Sequence, residues 1–524
     1  MKDYFREVKP ILNKLSELNV YDSLDVVRQY VKERTTYKQN FVFQNIEQPK
    51  YESIDVYFSD FLIANILKYS NNIDCLKSLR QLETRKKICS PIVKIQNDLN
   101  KEIINKNKFV FTWLNSFIFN QENIQLLNMF HILFYRYYYL YGSPNLKKYA
   151  ENILGIKLDS YFKMTLYLYS CFNNNNFCYS KEKLFGPCLT SDNVTALEYI
   201  LNKISLPLKD ISRLCYDTCQ YTGNLMFNFY SDSPHIKYPL IYEDDRYFCV
   251  VPNYILTTLL VGLYFILDMP NCTDKDAKEE FSHNFEKYVG NIFSYYFTDT
   301  SIHFKPEITY NIGNTKDLRT SDWILWNDTH IVFLDCKLKR ISIKGKGATE
   351  INVDLIDDLI NHNYFSRKQI KEHIEEHISE GITKDLIDLG IGLGKIYVSY
   401  DTYKQNKIEK LKYQGDKIFC ATLLTLEEGF CNSVDYKEQI IRIAQAYRNY
   451  KGDTNETINP EEVKIFSIRD IEREIPILAK ENSLVMLGAN NKKCILNEYL
   501  MDCFEDKIMN PLSKDMKISE NNNE

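Results

Sequence analysis

Hydrophobic positions in this chain recur at helical spacing through most of residues 1–230, then give way to shorter runs that alternate or cluster as strands do. Residues 239–251 fit a hairpin turning at Glu243-Asp244-Asp245, and Asn253 is placed to cap a short helix from Tyr254. Residues 274–297 return to helical spacing through Phe281, Phe285, Val289, Ile292, Phe293 and Tyr296, with Gly290 permitting close approach to another backbone. His303–Asn311 reads as a strand. Two apolar runs follow, 322–326 and 331–337, around the polar turn Asn327-Asp328-Thr329-His330, the signature of a further hairpin. Residues 351–380 are again helical in spacing. Lys395–Tyr400 and Lys417–Leu424 read as strands, and Thr425-Leu426-Glu427-Glu428 has the form of a capping box. The order predicts an α/β protein preceded by a mainly helical region.

The second hairpin carries the chemistry. With 327–330 as its loop, Trp326 pairs with Ile331, and the same register sets Asp322 opposite Asp335. Directly paired residues share a sheet face with Cβ atoms about 4.5–5.5 Å apart. Lys337, two residues beyond Asp335, projects from that face too. Cys336 between them faces the other way, as a small buried apolar residue would. Asp328 needs no role beyond turn chemistry. Two carboxylates and an ammonium on one patch are what metal-assisted phosphodiester cleavage needs. Mg²⁺ keeps several waters and is held by one or two carboxylates plus substrate phosphate, and Mn²⁺ can take its place. A lysine alongside can orient the water or stabilise the phosphorane. The same residues would also make a plain cross-strand salt bridge.

This arrangement resembles the PD-(D/E)XK, or restriction-endonuclease-like, nuclease superfamily, over roughly residues 274–425. An acidic residue opens one strand (Asp322), the next carries Asp335-Cys336-Lys337, and the preceding helix offers Glu286 within Phe285-Glu286-Lys287-Tyr288-Val289. Ser321 stands where the family usually has proline. The resemblance implies a restriction-endonuclease-like core, a mixed central sheet flanked by helices. It further implies that Asp322, Asp335 and Glu286 hold Mg²⁺ while Lys337 serves the attacking water. It also implies a polar residue on the helix that follows the hairpin, for which Gln369 is the candidate. Glu307 is the reserve ligand, and His283 could share the face of Glu286. A basic run, Lys339, Arg340, Lys344 and Lys346, adjoins the hairpin; it would hold a phosphate backbone or form a solvated loop.

Composition bounds what remains. The 524 residues suit two or three domains: a mainly helical 1–235, a nuclease domain 236–510, and a polar, disordered tail 511–524. A net charge of −5 excludes a uniformly attractive nucleic-acid surface, so any such patch is local. Fourteen scattered cysteines without a C-x-x-C pair point to reduced thiols and a cytoplasmic location. The opening residues have no apolar core of a signal peptide. Tyr247–Leu267 is uncharged over 21 residues, but Pro252-Asn253 divides it and leaves too short a helix to span a bilayer. The aromatic-rich stretch from Phe109 to Tyr141 could stack on bases beside Arg136, although such density more commonly fills a helical core.

The expected activity is therefore a Mg²⁺-dependent DNA endonuclease, by superfamily analogy in prokaryotic antiviral defence, working as a homo-oligomer or with a regulating partner. The alternatives are a repair or recombination nuclease acting on branched DNA or RNA, and a non-catalytic nucleic-acid-binding scaffold. The N-terminal region would sense a partner or gate the site.

Overall fold

The computed structural model describes residues 4–37, 56–70, 77–105, 130–174, 176–188, 190–218, 233–312, 315–338, 351–373, 382–413, 415–426, 434–452, 456–485 and 497–511. The protein is mixed α/β. It divides into two compact units, Met1–Lys278 with Leu500–Glu524, and Glu279–Tyr499. The division thus falls between Lys278 and Glu279, not near 235, and the C-terminal residues join the first unit. The tail expected at 511–524 lies, except for Pro511, outside the described residues.

The first unit is built mainly of helices, as its spacing predicts, but it also holds a four-stranded sheet. The strands run in the order Cys178–Ser180, Arg246–Cys249, Leu240–Glu243, Ser205–Pro207. The hairpin within it turns where expected. Asp244 and Asp245 both take positive φ (46° and 56°), the backbone of the tight turn that matches strand twist. The aromatic helix Phe130–Tyr141 buries Phe134, Tyr135, Tyr137 and Tyr141, and Arg136 with them, so these rings fill a core. Asn253 does not cap: Pro252 precedes the helix without a side-chain cap bond, and the Asn253 amide is buried with no hydrogen-bond partner. No helix among the described residues is long and apolar enough to cross a membrane.

A buried polar network ties this unit together. Asp60, on helix Val56–Tyr69, accepts from the Tyr254 hydroxyl at 2.6 Å and pairs with His235 Nε2 at 2.9 Å. His235 Nδ1 lies 2.7 Å from Ser233 Oγ. Removing the carboxylate takes this acceptor from two buried groups, a loss of about 1–3 kcal/mol each. Asp60→Ala is expected to lower the unfolding free energy in urea by about 3–5 kcal/mol. A loss below about 1 kcal/mol would show that the network contributes nothing net.

The second unit is a five-stranded mixed sheet with helices from both sides of it in sequence. The strands of this sheet and the helices that bear on the site are, in chain order, α1 (Lys275–Phe297), β1 (His303–Pro306), β2 (Trp323–Trp326), β3 (His330–Lys337), α2 (Ile382–Lys404), β4 (Ile418–Thr425), α3 (Val434–Lys451) and β5 (Val463–Ser467). Across the sheet the order is β5-β4-β3-β2-β1. β1 and β2 are antiparallel, as are β2 and β3, whereas β3, β4 and β5 run parallel. β3, central in the sheet between antiparallel β2 and parallel β4, is buried on both faces.

Two local expectations fail. The strand expected over His303–Asn311 ends at Pro306. Thr309–Ile312 instead pairs with Thr315–Arg319 in a separate two-stranded ribbon. Proline cannot donate to a ladder, which fits a strand end there. Lys395–Tyr400 is not a strand but the last part of α2, a helix buried on nearly every side and so lacking the polar face that reveals helical period. Within 351–380 helices form as the spacing predicts, Val353–His362 and Arg367–His373, with 374–381 outside the described residues; the crossover helix against the sheet is a further one, Ile382–Lys404. The capping-box glutamates, Glu427 and Glu428, lie outside the described residues.

Candidate active site

The β2–β3 hairpin is closed by Asn327, whose side-chain oxygen accepts from the backbone of Thr329 (3.1 Å) and His330 (2.8 Å). This Asx-type turn sets the register, pairing Trp326 with Ile331 and Trp323 with Leu334. One further step along that register brings Asp322, just before β2, across from Asp335. The Asp322 carboxylate accepts the Cys336 backbone N–H at 2.6 Å, which anchors it to the partner strand. Asp335 forms an ion pair with Lys337.

Glu286 reaches the same place from α1. The helix docks because Gly290, one turn on, leaves room for the Trp323 ring; a Cβ there would lie 2.3 Å from it. The neighbour is thus an indole ring, not the backbone expected at Gly290. The indole N–H donates to the Glu286 carbonyl at 3.3 Å, joining α1 to the residue after Asp322. His283 pairs with the Glu286 carboxylate at 3.5 Å, and Glu307 is held by Arg319 at 3.3 Å.

The electrostatics show a crowded anionic site. Burial first, then Asp335 and Glu286, push the Asp322 carboxyl up to about 8, against the downward pull of Lys337 and the Cys336 amide. Burial likewise raises Glu286; His283 opposes this, while Glu307 and Asp335 add to it. For Lys337 burial pulls the other way, yet Asp335 and Asp322 outweigh it and hold the ammonium well above its ordinary value. Lys337 is therefore a fixed cation here. Cys336 is buried, and its thiol is pushed far up by burial and then by the surrounding carboxylates, consistent with an inert apolar residue.

Asp322, Asp335 and Lys337 are thus gathered together, with Glu286 close enough for its charge to bear on both aspartates. Gln369 has other work: its amide oxygen accepts from the Ser366 backbone (3.1 Å) and hydroxyl (2.7 Å), closing the start of helix Arg367–His373. The helix that lies against Asp335 and Lys337 is α2, through Gly392, a residue that hydrophobic patterning does not single out. Lys339, Arg340, Lys344 and Lys346 lie outside the described residues.

Among the described residues no group of three or more His, Cys, Asp or Glu converges as a ready metal cage. The donor set nonetheless fits a hard cation that keeps most of its waters. Two carboxylates converge with a third nearby, and Asp322 is raised to about 8 by burial first and then by Asp335 and Glu286, a setting in which a bound cation would favour the ionised carboxylate. Comparison with protein-family models, with curated proteins and with solved structures found no match for this chain.

Proposed function

We propose that the second unit is a metal-dependent phosphodiester hydrolase of the PD-(D/E)XK kind, acting on DNA. The observation that carries the reading is the convergence of Asp322, anchored by the Cys336 N–H, with the Asp335–Lys337 pair on the adjacent strand. The element order α1-β1-β2-β3-α2-β4, with antiparallel β1–β3 and a helical crossover to a parallel β4, supports it as the order the resemblance implies.

Asp322 and Asp335 would hold Mg²⁺ or Mn²⁺, with Glu286 binding the ion or its waters. When bound, the ion lowers the pKa of a water and neutralises charge developing on the phosphoryl oxygens. Lys337 would position or activate the attacking water and stabilise the phosphorane. Glu286, raised by burial, is suited to sharing a proton with a water at the edge of the site. One such site per chain cuts one strand at a time, so duplex cleavage calls for a second copy. The superfamily's prominence in antiviral defence makes that the biological setting we propose, in the cytoplasm, with the first unit as its sensing or gating part.

The test is incubation with plasmid, linear duplex, single-stranded DNA and RNA, with and without Mg²⁺. Metal-dependent cutting of DNA is the expected result. Cutting of RNA alone would replace the substrate class, and binding without cutting of any substrate would leave a nucleic-acid-binding scaffold as the function.

A further inference from the structure

Helix α2 carries three glycines in five residues, at 390, 392 and 394. Each costs a helix interior about 0.5–1 kcal/mol relative to alanine, so each needs a local reason. Gly390 and Gly394 sit about one turn apart, on the side facing α3. A Cβ on Gly390 would lie 2.5 Å from Ile443 Cβ, and one on Gly394 would lie 2.7 Å from the Tyr447 ring. These two allow the helices to pack closely. Gly392 lies about 200° around the helix from Gly390, since a turn takes about 3.6 residues. A Cβ there would meet Lys337 Cε at 2.9 Å, Asp335 Oδ2 at 3.5 Å and Leu423 Cδ2 at 3.6 Å.

We propose that Gly392 is a positioning residue for the candidate site: its missing side chain forms the slot that lays the Lys337 stem alongside Asp335. A lysine stem has four rotatable torsions and, in an open site, would not hold its ammonium on one carboxylate. The helix backbone at Gly392 closes one side of the stem. A methyl group at 2.9 Å is well inside the usual carbon–carbon contact of about 3.5–4.0 Å. The group that yields is Cε, one bond from Nζ, so the strain is relieved by moving the ammonium off Asp335 while the helix stays in place. Only the cleavage arm of the test below rests on the hydrolase reading.

Three measurements on full-length Gly392→Ala, Gly394→Ala and the parent decide it. In a crystal structure of Gly392→Ala the Lys337 ammonium should be displaced from Asp335 by about 1 Å or more, the scale on which catalytic alignment is lost. Its melting temperature should equal or exceed the parent's, because alanine is the better helix former. Gly394→Ala should instead melt lower, since the Tyr447 ring it strikes is packed between helices. Cleavage by Gly392→Ala should fall about 100-fold, as for a misplaced catalytic group. A crystal structure with the Lys337–Asp335 pair unmoved overturns the proposal, whatever the activity. So does a loss of stability matching that of Gly394→Ala, which would assign Gly392 to helix packing. A parent that cuts nothing, combined with a displaced lysine, refutes the hydrolase reading and leaves the positioning role standing.

Discussion

Asp335→Asn is expected to abolish phosphodiester cleavage while the protein remains folded and retains most of its nucleic-acid binding. The substitution keeps the shape of the side chain and removes its charge, and with it the direct partner of Lys337. Asp335 is the better of the two aspartates for this test, because Asp322 also accepts the Cys336 N–H and so has a structural part. Lys337→Met should cost about 10²–10⁴ in turnover, the usual contribution of a positioned proton donor or acceptor. Both variants should still unfold cooperatively in urea, with a loss of no more than about 3–5 kcal/mol, the scale on which breaking a largely buried ion pair acts. Variants that cut at the parent's rate would rule out this site as the seat of cleavage.

The parts of this site that were legible beforehand share a physical feature: local chemistry decides them. Asn327 closes its turn with its own side chain, and that alone sets Trp326 against Ile331 and carries Asp322 across to Asp335. Helix α1 shows its period because one side meets the sheet and the other meets solvent. Asp244-Asp245 is readable for the same reason as Asn327, since short polar side chains tolerate positive φ. What was not legible depends on partners distant in sequence. Helix α2 packs between β3–β4 on one side and α3 on the other, so its apolar residues have no period to show, and its short Ile396-Tyr397-Val398 run imitates a strand. The job of Gly392 depends on a side chain 55 positions away. Gln369 is picked out as a polar residue facing the site by its position after the hairpin, but its side-chain oxygen is spent on Ser366, three residues back. Asn253 follows a proline in a helix-start pattern, yet its amide is turned into the core.

The second large effect follows from the burial of Asp322 and, after it, the carboxylates around it. A carboxyl raised from the ordinary aspartate value to about 8 binds its proton more tightly in the folded chain than in the unfolded one. Between those values the native state therefore holds more protons, and stability must fall as pH rises through that window. Below about pH 4 both states are protonated and nothing is lost. Above about pH 8 the full penalty is present, with the native protein forced to carry an unwelcome carboxylate. Asp322→Asn removes this titration while its amide oxygen can still accept from the Cys336 N–H. Without divalent metal, the variant should thus gain on the parent as pH rises, by about 1–3 kcal/mol in urea unfolding at about pH 8.5. That figure is well under the full shift at about 1.4 kcal/mol per unit, because the site is partly open to solvent. Mn²⁺ should close the gap, because an ion bound by the native state stabilises it in proportion to its occupancy. The parent alone should therefore gain stability as the metal concentration rises. An equal difference between parent and variant at about pH 5 and about pH 8.5 would mean that Asp322 does not titrate in this window. Equal stabilisation of both by Mn²⁺ would place the ion elsewhere, and with it the chemistry assigned to this hairpin.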